Sequence, residues 1–155
     1  MKKHIIILIA ALFMGVAASA QPYNWGVGVR GGVLGGELTA RHYLSSSTAM
    51  NLYADFSFNG FGWGIGGDYQ FCYPVGGNGL EFYIGPGANI GAVPGDKPSL
   101  AVSVSGIAGL EYAFGKVPLA LFLDYRPAFT LTFMPEKIHA GIGYADLALG
   151  VRFCF

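Results

Sequence analysis

Large apolar residues alternate with small or polar residues along most of the chain, and the pattern is clearest in the last stretch, Ala145–Phe155. Its odd positions carry Leu, Leu, Val, Phe and Phe, whereas its even positions carry Asp, Ala, Gly, Arg and Cys. Side chains of a β-strand alternate between its two faces, so this stretch predicts a strand with one face toward an apolar medium and one toward a crowded polar interior. A buried edge strand of a soluble protein would give the same local pattern.

The same alternation recurs in eight segments separated by turn signals, most of them near the ~9–11 residues that a tilted strand needs to cross a bilayer. Asn59-Gly60 predicts a two-residue hairpin, because both residues tolerate a positive φ. Pro86 cannot donate to a strand ladder, so it predicts a bulge in the fifth strand. The predicted strands span about Tyr23–Gly32, Glu37–Leu44, Met50–Phe58, Phe61–Tyr73, Leu80–Ala92, Leu100–Phe114, Leu119–Phe133 and, after a Pro135–Lys137 loop, the chain end.

Composition favours a membrane barrel over a helical membrane protein. The 155 residues are 53% hydrophobic and 12% charged, with 25 glycines, yet beyond the N-terminal segment no long apolar run occurs. A chain whose apolar residues are dispersed by alternation can satisfy its backbone hydrogen bonds in a bilayer only as a closed barrel. The predicted fold class is therefore all-β, an eight-stranded antiparallel transmembrane up-and-down barrel. The formal net charge of zero suggests no nucleic-acid partner.

The first residues read as a secretory signal peptide. Lys2 and Lys3 precede an apolar run over Ile5–Ala18, and Ala18–Ala20 reads A-S-A, an A-x-A cleavage site. We expect a signal peptide over residues 1–20, export through the Sec route, and one barrel domain over 21–155 with no separate periplasmic domain. A retained membrane anchor is the alternative, although the run is too short to span a bilayer.

Several stretches resemble a known family. Gly150, Phe153 and Phe155 fit the C-terminal insertion signal of bacterial outer-membrane barrels, and three further stretches resemble the small barrel proteins, OmpA- or OmpX-like, that are common in Bacteroidetes. The resemblance implies an eight-stranded barrel in the outer membrane, in contact with its lipids and with the barrel assembly machinery during insertion, and it implies no particular activity. The stretches are YIGPGANIG at Tyr83–Gly91, SGIAGLEYAF at Ser105–Phe114 and PLALFLDYRPAF at Pro118–Phe129.

Outward aromatic residues are expected to form two girdles, as in outer-membrane barrels. With both termini at the periplasmic side, one girdle collects Phe71, Tyr73, Tyr112, Phe114, Phe153 and Phe155. The other collects Phe56, Phe58, Phe61, Trp63, Phe129 and Phe133.

All four arginines and seven of the nine acids fall in the inward register. An eight-stranded barrel is just wide enough for its own side chains, so we expect a plug of paired charges, with Arg126 lying near Asp124 on its own strand. Because the inward acids outnumber the arginines by three, a proton or ion path through the lumen is the alternative. The predicted lumen charge network is Arg30, Glu37, Arg41, Asp55, Asp68, Glu81, Glu111, Asp124, Arg126, Asp146 and Arg152.

No residue pattern predicts an enzyme. His42 is outward with Ser45–Ser47 nearby, and His139 falls in a loop without an adjacent serine, so no nucleophile and base are paired. Cys72 and Cys154 point inward from opposite sides of the barrel and are expected to be free thiols. The glycine runs precede no helix and therefore make no phosphate loop.

We accordingly expect no catalytic, metal or cofactor site. The leading hypothesis is a monomer with a structural or interaction role. A narrow conduit for small or apolar solutes is the second, and a lipid A-modifying enzyme the third. Glycines of the fourth and fifth strands, among them Gly62, Gly64, Gly66, Gly85, Gly87 and Gly91, are expected to leave any residual gap in the lumen.

Overall fold

A computed structural model describes residues 23–33, 35–57, 62–76, 78–93 and 98–155. The expected signal peptide and the Asn59-Gly60 hairpin lie outside the described residues. The described chain forms the strands β1 (Trp25–Gly32), β2 (Gly35–Ser45), β3 (Thr48–Ser57), β4 (Trp63–Val75), β5 (Leu80–Val93), β6 (Ser99–Ala113), β7 (Leu119–Met134) and β8 (Lys137–Cys154).

The eight strands close into a barrel. Each strand pairs antiparallel with the next along the chain, and β1 pairs with β8 from Gly26↔Cys154 to Gly32↔Ala148. Because β1 and β8 are hydrogen-bonded to each other along this β1–β8 seam, the barrel lacks the free strand edges that an open sheet would present. The predicted all-β, eight-stranded antiparallel up-and-down fold is therefore confirmed. Among the described residues, no helix is long and apolar enough to cross a membrane.

The alternation in the sequence becomes an apolar outer surface and a polar interior. On β8, Leu147 and Leu149 are more than half exposed, whereas Ala148, Gly150 and Arg152 are buried. The same holds around the barrel: the outward side chains are large and apolar, and the inward ones include all four arginines. The core of this fold is thus its charged lumen.

Turns divide the barrel into two ends. The turns after β2, β4 and β6 lie at the end that holds Phe155, which we call the Phe155 end. The strands β1, β3, β5 and β7 finish at the other end, which we call the hairpin end. β7 and β8 have 16 and 18 residues whereas β1 has 8, so the β7–β8 hairpin continues beyond the part of β8 that pairs with β1.

The predicted bulge at Pro86 is wrong. The β5–β6 register is unchanged from Gly85↔Ile107 to Gly87↔Ser105, so the strand passes Pro86 without gaining a residue. The β4–β5 register is also the same on both sides of Pro86, at Asp68↔Gly87 and at Phe71↔Ile84. A ladder can omit the hydrogen bond that a proline cannot donate without shifting register. Register shifts occur instead between β7 and β8, at Pro127, and between β2 and β3, at Leu44.

The β7–β8 hairpin contains a bulge, and it includes a residue that the sequence places in a loop. Arg126 pairs with Asp146, but Ala128 pairs with Gly143, so β8 carries one extra residue there. Beyond this bulge His139 pairs with Thr132 inside β8, which corrects the expected loop position. The strands β4 to β8, with 13 to 18 residues, are also longer than the bilayer-crossing length expected from the sequence.

Candidate functional site: the lumen charge network

Inward register places ten of the eleven predicted charged residues in two ion-paired clusters. The Arg30/Arg126 cluster lies toward the hairpin end and consists of Arg30, Glu37, Asp68, Asp124, Arg126 and Asp146. The Arg41/Arg152 cluster lies toward the Phe155 end and consists of Arg41, Glu81, Glu111 and Arg152. Each cluster draws on strands that are not sequence neighbours, so barrel closure is what assembles it.

Arg30 bridges three carboxylates from three strands. Its Nη1 lies 2.9 Å from Glu37 Oε1 and 2.7 Å from Asp146 Oδ2, and its Nη2 lies 2.7 Å from Asp124 Oδ1. The arginine side chain is almost wholly buried. A buried guanidinium is tolerated only when its charge and its donors are met by partners, and here three carboxylates do so.

Arg126 reaches across the lumen rather than along its own strand. Its Nη1 lies 2.6 Å from Glu37 Oε1 and its Nη2 lies 2.9 Å from Asp68 Oδ2. The guanidinium carbon sits 4.2 Å from the centre of the Tyr53 ring. Arg126 does not pair with Asp124 on its own strand, because the long side chain extends across the narrow lumen to β2 and β4, and Asp124 pairs with Arg30 instead.

The Arg41/Arg152 cluster closes around Glu111. Arg41 Nη1 lies 2.9 Å from Glu111 Oε1, and Arg152 Nη1 contacts the other carboxylate oxygen of Glu111. Arg41 Nη2 also lies 2.6 Å from Glu81 Oε1. Two arginines and two glutamates therefore balance in charge.

Aromatic side chains fill the space between the charges. The Arg152 guanidinium carbon lies 4.2 Å from the centre of the Phe122 ring, and that of Arg41 lies 5.0 Å from the centre of the Tyr83 ring. Tyr83 Oη donates a 3.1 Å hydrogen bond to Asp124 Oδ2, which links the two clusters. Arg41, Arg152, Tyr83 and Phe122 are at most 2% exposed. The lumen is thus packed across its section at this level.

Asp55 is the charged residue that the structure leaves outside both clusters. Its Oδ2 accepts a 2.5 Å hydrogen bond from Asn89 Nδ2, and it forms no arginine pair within the described chain. The side chain is only partly buried, near the hairpin end of the lumen.

Two tyrosines complete the Arg41/Arg152 cluster, and neither was predicted as a site residue. Tyr43 Oη donates to both carboxylate oxygens of Glu81, at 2.8 and 2.9 Å, and Tyr23 Oη donates to Glu111. Tyr43 follows the inward parity of β2, so alternation could have identified it. Tyr23 precedes β1, and only its contact with Glu111 in the structure shows that it belongs to this cluster. Burial, with the nearby Glu111 carboxylate, raises the pKa of Tyr23.

A cavity of about 570 Å³ opens at the Phe155 end. The inner part of its lining includes Tyr23, Tyr43, Glu81 and Glu111, and the outer part includes Leu44 and Pro74. Arg41, Tyr23 and Tyr43 already engage the Glu81 and Glu111 carboxylates that line this cavity.

The predicted insertion-signal residues lie on or next to β8. A β-carbon on Gly150 would overlap the Phe122 ring, so this glycine gives that ring its place in the lumen. Phe155 lies just after β8, with the Phe153 ring tilted beside it at a ring-centroid distance of 6.0 Å. The Phe155 carbonyl accepts hydrogen bonds from Asn24 and Trp25, and its N–H donates to the Trp25 carbonyl. These residues extend the β1–β8 seam.

The histidine and the two cysteines considered for catalysis or a disulfide make other contacts. The His42 ring stacks on Trp25 at 4.1 Å, and its Nδ1 lies 3.0 Å from the Asn24 carbonyl oxygen. Cys72 and Cys154 are buried free thiols, and Arg41 Nη2 lies 3.0 Å from Cys72 Sγ. Within the described ranges, no three His, Cys, Asp or Glu side chains gather in a metal-binding arrangement.

Comparison with known proteins supports the fold. No protein-family model matches the chain, and no curated protein matches it. Among solved structures, the chain is similar to the N-terminal β-barrel domain of Pseudomonas aeruginosa OprF. That match has a TM-score of 0.58 at 16% sequence identity and covers 87% of this chain and 100% of that domain. At this identity the likeness concerns the fold.

Proposed function

We propose that the chain is an outer-membrane β-barrel protein with a structural or interaction role, whose lumen is closed by paired charges. The observation that carries the proposal is the inverted distribution of side chains. Large apolar residues such as Leu52, Ile65 and Val104 are more than half exposed on the outer surface, while the arginines are buried. An apolar surface around a charged interior suits a protein surrounded by lipid.

Three further features support this location. Exposed aromatic residues lie near both ends, including Tyr73 and Tyr112 at the Phe155 end and Phe56 and Trp63 at the hairpin end. The fold matches that of the OprF N-terminal barrel domain. The sequence also begins with the features of an exported protein, residues 1–20. Outer-membrane lipids and, during insertion, the barrel assembly machinery are the proposed partners, and the barrel functions as a monomer with neither enzymatic activity nor a cofactor.

The proposal is tested by folding the purified chain into detergent or lipid vesicles. A closed barrel has no edge from which to unzip, so the folded protein should migrate differently on a gel before and after boiling. Circular dichroism should show β-structure, and the protein should remain in vesicles after alkaline washing. Identical mobility before and after boiling, or extraction by the alkaline wash, would contradict the proposal.

A further inference from the structure

The outer part of β8 has a partner strand on one side only. β1 pairs with β8 as far as Gly32↔Ala148, whereas β8 begins at Lys137. Residues 137–147 therefore lie beside β7 but, within the described chain, beside no strand on the side of β1. Every second residue of such an edge directs its backbone N–H and C=O away from the sheet, where another strand can bind them.

The regular part of this edge is residues 137–143, which we call the β8 edge. It keeps one register with β7 from Met134↔Lys137 to Ala128↔Gly143, and the bulge follows directly after it. An unpaired strand edge is not found in the hydrocarbon of a bilayer, because its backbone groups would have no partner there. If the barrel spans the outer membrane as proposed, the β8 edge therefore lies outside the hydrocarbon, open to another protein chain.

The outward face of the β8 edge is apolar and uncovered. Ile138 is 67% exposed and Ile142 is 93% exposed, with the exposed Ala140 between them on the same face. A β-carbon added to Gly141 would meet no atom within 4 Å, so the other face of the edge is open as well. Exposed β-branched side chains beside free backbone groups are the features of a strand that pairs with another chain.

We propose that the β8 edge pairs antiparallel with the β8 edge of a second copy of this chain, about a two-fold axis at Ala140. Because directly opposite residues of an antiparallel pair lie on the same face, the axis must pass through a residue rather than between two. Ala140 is the position that sets Ile138 of each copy opposite Ile142 of the other. Both isoleucine pairs then cover each other on the outward face.

The same register keeps like charges apart. Lys137 lies opposite Gly143 of the other copy, and His139 lies opposite Gly141, so each long side chain faces a glycine. The two Lys137 side chains are separated by the length of the edge, roughly 20 Å. The β8 edge is thus self-complementary in its apolar and its charged positions, as an isologous interface requires.

The pairing places the two barrels head to head. Its two-fold axis is perpendicular to the sheet, so the two copies point in opposite directions along their strands. Within one membrane the barrel remains a monomer, and the pairing joins two barrels that meet by their hairpin ends from facing membranes. The paired strip is short, so the association is weak and depends on protein concentration.

Sedimentation equilibrium of the folded protein in detergent tests the pairing, because barrels in separate micelles are free to meet by their hairpin ends. The shift in gel mobility first shows that the parent and each variant are folded, which separates failure of the pairing from failure of the barrel proposal. We expect the fraction of dimer to rise with protein concentration.

Two exposed apolar residues of the hairpin end provide a matched pair of variants. Ile142→Lys should weaken the association by at least about tenfold, since each dimer loses both of its isoleucine pairs. Val33, which is 85% exposed, lies outside the β8 edge, so Val33→Lys should change the association by less than about twofold.

Cysteine variants test the register. Ala140→Cys should form a disulfide with the same position of the second copy under air oxidation, because directly opposite residues lie within disulfide reach. Ile138→Cys should link to Ile142→Cys but not to itself. The two native cysteines are buried and free, and Val33→Cys gives the rate for an exposed cysteine outside the edge. Ala140→Cys should exceed that rate by at least about tenfold.

Several results would overturn the proposal. A folded parent that stays monomeric at every concentration would leave the β8 edge to an extended segment of a different protein. Equal association of Ile142→Lys and Val33→Lys would mean that another surface holds the dimer. Equal cross-linking rates of Ala140→Cys and Val33→Cys, or self-linking of Ile138→Cys, would exclude this register.

Discussion

At the scale of single residues, the lumen is built by pairing long side chains with glycines. The Tyr53 ring lies over Gly66, and the Tyr83 ring lies over Gly109, in each case where a β-carbon would otherwise stand. The glycines of β4 and β5 were expected to border a gap, but at Gly64, Gly66 and Gly87 side chains from neighbouring strands fill that space. A glycine at such a position is required for packing rather than for backbone freedom.

Gly66→Ala tests this packing. A β-carbon there would lie 2.5 Å from Tyr53 Cζ and 2.6 Å from the Ala88 carbonyl oxygen, so the Tyr53 ring must leave its place beside Arg126. We expect a loss of about 1–3 kcal/mol in the free energy of unfolding, as for overpacked cores. Urea titration in detergent measures it. Gly31→Ala is the control, since nothing lies within 4 Å of its added methyl group.

Arg126→Met tests the ion pairs. The change leaves Asp68 with only the Asn51 amide and Glu37 with only Arg30, so two carboxylates lose a buried cation. We expect a cost of ~3–5 kcal/mol, seen as a lower urea midpoint. Lys116→Met, in an exposed turn, is the control for loss of a positive charge. An unchanged midpoint for Arg126→Met would mean that hydration, and not pairing, stabilises the charges.

At the scale of elements, the β1–β8 seam determines whether the barrel closes. β1 is the shortest strand, and beyond Gly26↔Cys154 the seam continues through three hydrogen bonds between Phe155 and residues 24–25. The chain terminus is therefore part of the closure and not a free tail.

Deleting Phe155 should slow insertion more than it lowers the stability of the finished barrel. The deletion removes the terminal backbone bonds of the seam and an exposed aromatic side chain. The yield of the heat-shifted gel band over time in lipid vesicles measures insertion. Phe155→Leu keeps the backbone bonds, so normal insertion by this variant would assign the effect to the seam, and slow insertion would assign it to the aromatic ring. Unchanged insertion by the deletion would show that Phe155 is dispensable.

At the scale of the whole molecule, the two clusters and the rings between them occupy the middle of the lumen. The side chains of Arg41, Tyr83, Ile107, Phe122 and Arg152 are buried there, and a cavity opens at the Phe155 end. Eight strands leave little room beyond what side chains occupy.

We therefore expect no stable ion conductance from the pure protein in planar bilayers and no uptake of sugars into liposomes. A packed barrier of paired charges offers no continuous water path. Steady ion-selective channel steps that disappear in Asp68→Asn or Glu81→Gln would contradict a closed lumen and favour the narrow conduit.

The sequence by itself determined which face of each strand a residue occupies. Alternation follows directly from strand geometry, so the eight strands, the closed fold and the inward position of Arg30, Arg41, Arg126 and Arg152 could all be predicted from it. The alternation does not predict where the strands end, because pairing in the β7–β8 hairpin continues where no apolar pattern requires it. The functions proposed from a closed lumen remain predictions.

Only the tertiary structure decided which charges meet. Alternation fixes the side of the sheet but not the distance across a closed lumen, so it could not show that Arg126 reaches Glu37 and Asp68 while Asp124 pairs with Arg30. The stagger of the strands and the bulge at Pro127 set the position of each charge along the barrel axis, and both depend on all eight strands together.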